Sequence, residues 1–390
     1  MKKLTIGLFG FGVVGEGIYK VLSNKTLNVE VKKIVIKDAS KVRNAPHELF
    51  SVDKNDILND ETIDLVVELI DDAEAALEIA YKSFEKGKSV ISANKKMIAE
   101  NHEYLIQKSK DNNVSFLYEA AVCGSIPVLR NLEEYFDNDL LKSVVGIVNG
   151  STNFIVSKMM MDNEDYHNVL KIAQEKGFAE SDPTLDVEGI DAAHKLSIIA
   201  LHAFGKNISL DNIIYKGITA LNPFDFQYAK EKNKVIKLIA KCNMSENGEL
   251  LALTVFPSFL NKNNPLALTH NEYNGVIIES SLADSQFFYG KGAGRYPTSS
   301  AVLSDISANL YGYRYSYKKG VSAYIPSNNC VGKFYVSCDN KLEELDSLFD
   351  KIEEKFDSKN RTYIVGYIDY NKLKEHSILK DNNYSIIQID

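Results

Sequence analysis

The chain has no tryptophan and only four cysteines among its 390 residues. The missing tryptophan excludes nothing. Cys123, Cys242, Cys330 and Cys338 form neither a C-x-x-C pair nor a dense framework, so disulfide scaffolding is set aside and a reducing cytoplasm is the expected location. No run of 18 uncharged apolar residues occurs, so neither a membrane-spanning helix nor a membrane partner is expected. Positive charge is in deficit: 45 Lys and Arg face 53 Asp and Glu, a net charge of −8, which argues against nucleic acid as a main partner. Internal repeats and low-complexity blocks are absent. A secretory signal is set aside as well. Glu16 and Lys20 interrupt the apolar run after Lys2-Lys3, and no small-residue cleavage site follows. What remains is ordinary globular composition, 45% apolar and 25% charged. Its length predicts two or three domains.

The first fifteen residues are the most informative. An apolar strand over 3–9 runs into Gly10-Phe11-Gly12-Val13-Val14-Gly15, a G-x-G-x-x-G, and a helix-like stretch follows from Gly17 to Leu22. Gly10 serves the tight turn, Gly12 lets backbone approach a pyrophosphate, and Gly15 lets helix and strand pack closely. Phosphates would sit on the helix N-terminus, where unpaired N–H groups and the dipole favour anions. A second apolar strand, Val29 to Ile36, ends at Lys37-Asp38. Asp38 stands 23 residues after Gly15, where a ribose-binding acid belongs.

Apolar runs at 3–9, 30–36, 64–70, 88–92 and 114–119 alternate with helical periodicity, as over 74–86, which Gly87 would stop. Such alternation predicts βαβ units and a Rossmann-type parallel sheet within an α/β chain. A mixed α+β region follows. It has strands at 142–148, 250–256, 275–280 and 286–290, helices at 152–162, 164–176 and 191–204, and a further helix at 300–311. The tail, 321–390, reads as a small α/β unit with strands at 333–337, 361–368 and 384–389 and an amphipathic helix at 342–356. Loops or linkers are expected at 259–264 and 326–329. The expected domains are 1–130 with about 300–320, then 131–299, then 321–390.

Five acids, Glu180, Asp182, Asp186, Glu188 and Asp191, fall within twelve residues. Their spacing fails the EF-hand pattern and suits a pocket for a cationic group. Asp191 and Lys195 stand four apart on one helix face, ringed by Leu196, Ile198, Ile199 and Leu201. The bland reading is a solvated ion pair; the sharper one is a buried lysine poised as a general acid. Ser92-Ala93-Asn94-Lys95-Lys96 ends the fourth strand, where parallel sheets bind ligands, although a surface lysine is equally consistent. Cys123 reads as a small apolar filler before it reads as a nucleophile. Gly290-Lys291-Gly292-Ala293-Gly294 looks like a loop opening a helix near cofactor phosphates or ribose.

In this order the pieces resemble the homoserine dehydrogenase family over roughly residues 1–320. The motifs are G-F-G-V-V-G at 10–15, A-N-K at 93–95, E-A-A-V-C-G-S-I-P at 119–127, N-G-S-T-N-F-I at 149–155, A-E-S-D-P-T at 179–184, D-V-E-G-I-D-A-A-H-K-L at 186–196 and G-K-G-A-G at 290–294. The resemblance implies reversible reduction of L-aspartate 4-semialdehyde to L-homoserine with a nicotinamide cofactor. It implies Lys195 as proton donor, Asp191 orienting it, and Lys95 lining the same site. Glu180 and Asp186 would hold the substrate, together with Gly150 and Thr152. Gly10 to Gly15, Lys37, Asp38, Arg43, Ser92, Lys95, Gly292 and Gly294 would hold the cofactor. A sodium ion would be bound largely by main-chain carbonyls of Glu119, Val122, Gly124 and Ile126. Asp38 favours NAD, whereas Lys37, Lys41 and Arg43 welcome the 2′-phosphate of NADP, which is the cofactor expected. The resemblance also implies a homodimer built from 131–148 and 300–312, and a tail like a reduced ACT module lacking one strand. One departure is expected to weaken cofactor binding: Asp71-Asp72 stand where the family usually has two glycines. Two rivals stay open, a semialdehyde dehydrogenase acting through Cys123 and a non-catalytic paralogue that senses nucleotide or amino acid.

Overall fold

Short β-branched runs, buried on both faces, build the first sheet. The computed structural model describes residues 3–24, 27–137, 140–162, 164–245, 248–249, 251–320, 322–323, 330–338, 343–358 and 362–389. The expected join at 326–329 and the ends of three expected elements, Leu250, Leu342 and Arg361, lie outside them. The chain forms two units, Met1–Asp137 with Lys291–Val321 and Asn138–Gly290 with Ser322–Asp390.

The first unit runs β1 (Leu4–Phe9), α1 (Val13–Ser23), β2 (Val29–Val35), β3 (Phe50–Ser51), α2 (Asn55–Leu58), β4 (Leu65–Glu68), α3 (Ala73–Glu85), β5 (Ser89–Ser92), α4 (Lys95–Asp111), β6 (Phe116–Leu117) and α5 (Val128–Glu133). Its six strands are parallel in the order β3-β2-β1-β4-β5-β6. All four residues of β4 are buried, as a sheet covered on both faces requires. The order reverses between β1 and β4, which opens a ligand crevice at their carboxyl ends. The expected strands and the helix at 74–86 are present, and Gly87 adopts φ +70° just past α3. The two-residue β3 and one-turn α2 carry too little pattern to be read from sequence.

The second unit runs β7 (Leu141–Ile147), α6 (Gly150–Asp162), α7 (Tyr166–Glu175), α8 (Thr184–Val187), α9 (Ile190–Phe204), β8 (Lys206–Asn207), β9 (Ile214–Tyr215), α10 (Pro223–Glu231), β10 (Lys234–Asn243), β11 (Thr254–Asn261), β12 (Tyr273–Ser280) and β13 (Asp284–Lys291). The chain then returns to the first unit for α11 (Arg295–Leu310). It ends with β14 (Ser322–Ala323), β15 (Val331–Cys338), β16 (Lys351–Asp357), β17 (Thr362–Asp369), α12 (Tyr370–Glu375) and β18 (Ser385–Ile389). The large sheet is ordered β13-β12-β7-β10-β11-β18-β15-β17-β16, with β9 beside β11. β10 escapes sequence reading because Lys237 interrupts its apolar run, yet that lysine is buried and satisfied by polar neighbours. β7 pairs with β10 and β12 on its two sides, and among the described residues the open edges of this sheet are β13 and β16.

The tail departs from expectation in two ways. Its strands follow the order fourth, first, third, second (β18-β15-β17-β16), so no strand is missing, and β18 joins β11 in parallel to make one continuous sheet. The helix expected at 342–356 is instead a 3-10 turn, Glu343–Leu348, followed by β16. Leu345, Leu348 and Phe349 do enter the core, but Asp350 N–H bonds Tyr367 O and starts a ladder with β17. Ile352 and Phe356 are exposed on β16, and the register shift between Ile352 and Glu354 sets them opposite Gly366 and Tyr363, on different faces of the sheet.

Candidate active site

At the carboxyl end of β1, Gly10 holds φ +95°, and a methyl group there would lie 2.8 Å from Leu69 O. A methyl on Gly15 would lie 2.5 Å from Gly10 O, whereas Gly12 faces open space. Gly12 caps α1 without any side-chain bond, so the N–H groups of the Val13-Val14 turn are left for a ligand. Phe11 packs edge-on against Tyr19 and Phe50 and fixes the turn from the side. Past β2, the Asp38 carboxylate accepts both the hydroxyl and the N–H of Ser40, and these bonds hold its pKa below the usual range. Lys37 is exposed. Ser40, Lys41, Arg43, His47 and Phe50 line a cavity of about 560 Å3, and the Arg43 guanidinium lies 5.7 Å from the Phe50 ring centre.

The ends of β4 and β5 hold Ser92 and Lys95. The Ser92 hydroxyl is fully buried, donates to Glu68 Oε2 and accepts the Asn94 N–H, so it anchors the loop. Burial raises the Glu68 pKa to about 7. Asn94 caps α4 and reaches back to Ile70 O at 3.0 Å, which fixes the half-buried Lys95 at the first position of that helix. Asp71 and Asp72 are exposed. The Asp72 carboxylate turns onto its own helix, accepting Glu74 and Ala75 N–H as the cap of α3.

In the turn 119–127 the buried Glu119 carboxylate accepts Leu129 and Arg130 N–H at the start of α5, and burial raises its pKa to about 7. Gly124 adopts φ +54°, and a methyl there would strike Gly292 O at 2.4 Å. Gly292 therefore serves close packing of two loops, while Gly294, at φ +114°, opens α11. Val122 and Ile126 are buried beside Gly124. Cys123 is fully buried.

In the second unit the acidic motif closes around α9, which is buried from Asp191 to Phe204. Lys195 is 9% exposed; its Nζ lies 2.7 Å from Asp191 Oδ2 and donates to Val148 O at 2.8 Å. Asn149, which sequence reasoning passed over within N-G-S-T, ties the site together. Its Nδ2 donates to Asp186 Oδ1 and Asp191 Oδ2, both at 2.7 Å, while its Oδ1 accepts Thr152 N–H at 2.8 Å and the Thr152 hydroxyl. The signal for Asn149 was its place between a strand and a helix start. Gly150 opens α6 where a methyl would lie 2.5 Å from Glu272 O. Glu180 is exposed at the rim. The structure thus brings Thr152, Asp186, Asp191 and Lys195 into one network through Asn149. That pair is a buried ammonium held by a carboxylate and a carbonyl, an arrangement suited to giving up and regaining a proton.

Comparison with known proteins agrees. The family model for homoserine dehydrogenase matches residues 127–307, and the model for its NAD-binding domain matches residues 10–119. The homoserine dehydrogenase of Bacillus subtilis is 36% identical over 345 residues, 86% of this chain and 77% of that one. That of Synechocystis is 35% identical, covering 89% and 82%. The homoserine dehydrogenase structure from Thiobacillus denitrificans aligns with a TM-score of 0.84 at 26% identity, over 100% of this chain and 98% of the other. A hyperthermophilic archaeal homoserine dehydrogenase mutant in complex with NADPH shares the fold at TM-score 0.68 and 22% identity, covering 81% of this chain and 100% of its own. A glycine turn built for a dinucleotide, a lysine–carboxylate network on a buried helix and this agreement have one reading: the chain belongs to the homoserine dehydrogenase family, NAD(P)-dependent oxidoreductases.

Proposed function

We propose that the chain interconverts L-aspartate 4-semialdehyde and L-homoserine with Lys195 as the proton donor. The observation that carries this is the Lys195 ammonium fixed by Asp191 and Val148 O in a nearly dry site. When bound, the nicotinamide supplies or accepts the hydride. As the aldehyde carbonyl is reduced, its oxygen takes a proton from Lys195 Nζ, and in oxidation the hydroxyl proton returns to that amine. Two of the three N–H bonds of Nζ are committed, so the third is the one given. Asp191 orients the ammonium. Asp186 and Glu180 receive the substrate ammonium, with Gly150 and Thr152 at the start of α6. Lys95, at the first position of α4, is the other lysine given a catalytic role on this reading.

Gly10, Gly12 and Gly15 form a cradle that fits a pyrophosphate, with Phe11, Val13 and Val14 shaping it. NADP is the preferred cofactor on this reading. Lys41 and Arg43 line the cavity beyond β2, Lys37 flanks it, and the Asp38 carboxylate is drawn back by Ser40. The NADPH seen in the archaeal relative accords with this. Sodium is assigned to the carbonyls of Glu119, Val122, Gly124 and Ile126. The positive φ of Gly124 turns the backbone there, and neutral oxygens suit a hard cation. Among the described residues no cluster of three His, Cys, Asp or Glu offers a side-chain metal site. A homodimer through 131–148 and 300–312 is proposed from the resemblance. No described helix is long and apolar enough to cross a membrane. The four cysteines are buried thiols outside any disulfide, which accords with a reducing cytoplasm.

The Cys123 rival is not favoured, because its thiol is buried and the reduction needs no covalent intermediate. The sensor rival is not favoured, because the proton-transfer network is complete. Purified protein given L-homoserine and NADP, then NAD, and followed by absorbance of the reduced cofactor, tests the proposal. Turnover with a lower KM for NADP is expected; no turnover with either cofactor refutes it.

A further inference from the structure

The segment that joins β4 to α3, Leu69 to Asp72, lies against the glycine turn. Leu69 N–H bonds Phe9 O at 2.9 Å. A methyl on Gly10 would stand 2.8 Å from Leu69 O and 3.3 Å from the Ile70 side chain, so the segment is packed on the turn that cradles a pyrophosphate. Its last two residues, Asp71 and Asp72, are exposed. A phosphate-bearing cofactor that crosses the turn therefore passes beside like charge.

The backbone of Ile70 is clamped from both sides. Its N–H donates to Glu68 Oε1 at 2.6 Å, and its carbonyl accepts Asn94 Nδ2 at 3.0 Å. Asn94 Nδ2 also reaches Asp71 O at 3.4 Å. The two clamping side chains are themselves linked. Glu68 Oε2 accepts the Ser92 hydroxyl at 2.5 Å, and the Ser92 oxygen accepts Asn94 N–H at 3.0 Å. Asn94 Oδ1 in turn takes Met97 N–H at 2.9 Å, so the clamp is anchored in α4. Glu68 is fully buried and Asn94 nearly so, and water competes little for these bonds. Asp72 is fixed by its own cap bonds to Glu74 and Ala75 N–H. Among the described residues no donor holds the Asp71 carboxylate, so its direction follows from the backbone that carries it.

We infer that Asn94 and Glu68 are positioning residues for the dinucleotide: by clamping Ile70 they keep the Asp71 carboxylate off the path of its phosphates. The inference rests on the cofactor reading above and adds two residues that act through the backbone of this segment. Without the clamp the segment gains freedom beside Gly10, and a carboxylate that comes near a phosphate weakens binding about tenfold.

The test is calorimetric titration of the full-length protein with NADP at low and high salt, in wild type, Asn94→Ser, Asp71→Asn and the double variant. Serine can still cap α4 but is too short to reach Ile70 O. Asn94→Ser should weaken NADP binding about tenfold at low salt and less at high salt, because the cost is electrostatic. With Asp71→Asn already in place, the same change should cost under about threefold. A role confined to holding the loop together would cost the same in both backgrounds and at both salt concentrations. Glu68→Gln, which exchanges one acceptor oxygen for a donor, should repeat the pattern, and it supplies the test if Asn94→Ser does not fold. Equal losses in the two backgrounds, a loss indifferent to salt, or unchanged affinity in the clamp variant each overturns the inference. A wild type that binds neither NADP nor NAD overturns the cofactor reading, and the inference with it.

Discussion

Replacing Asn149 by alanine probes the bridge on which the site depends. Asn149 is 4% exposed and donates to two carboxylates at 2.7 Å while accepting the Thr152 N–H at 2.8 Å. Hydrogen bonds to charged groups contribute about 1.5–3 kcal/mol each, and an orphaned buried N–H costs about 1 kcal/mol more. Water entering the vacated space recovers part of this, so a net loss of about 3–4 kcal/mol follows. For a unit of this size each kcal/mol lowers the unfolding midpoint by roughly 2–4 °C, giving a fall of about 6–16 °C. Asp186 and Asp191 would also lose their common tether, and misplacing a catalytic group by about 1 Å costs about 10²-fold in rate. Calorimetric scanning and steady-state kinetics on one preparation read both effects. A variant with the wild-type midpoint and kcat/KM within about threefold of wild type would refute the bridge; the threefold limit is under 1 kcal/mol.

Lys237 predicts a pH effect on stability. Burial lowers its folded-state pKa to about 7, below the ordinary lysine value, so from about pH 7 to 10 the unfolded chain binds the extra proton and stability rises with pH. Urea unfolding at either end of that window should show this rise in wild type and its loss in Lys237→Met; parallel curves contradict it. Asp71→Gly/Asp72→Gly should tighten cofactor binding at low salt and less at high salt, at the expense of a few tenths of a kcal/mol for the lost α3 cap. Calorimetric titration showing equal affinity at low salt would place the pair away from the cofactor. Cys123→Ser should retain near-wild-type kcat, since the thiol is buried and unused. A folded but inactive variant with a trapped thioester would reverse that.

The parts of the fold legible in the sequence are those dictated by local sterics. Gly10 and Gly15 must be glycine because carbonyls stand under 3 Å from where a methyl would go, so G-x-G-x-x-G locates the turn without tertiary information. The Asp191–Lys195 pair was legible from helical spacing and proved to be a contact of 2.7 Å. Asn149 was not legible as a bridge, because its partners lie 37 and 42 residues away and a neutral amide carries no pattern of its own. The bond from the Ser92 hydroxyl to Glu68 was not legible for the same reason, since its partner is on the neighbouring strand. β10 was hidden by Lys237, whose polarity is answered by Asn153, Ser157 and Thr269 O from other elements. The segment 342–356 misled because its apolar residues are divided between a 3-10 turn packed into the core and an exposed, bulged strand.

The central claim is that Lys195 transfers the proton. Lys195→Ala, checked for folding by its unfolding transition, should be assayed with L-homoserine and NADP by cofactor absorbance, beside a calorimetric Kd for NADP. Losing a general acid–base group typically costs about 10²–10⁴-fold, so kcat should fall by that factor with the Kd nearly unchanged. A folded variant that keeps near-full kcat would contradict the account.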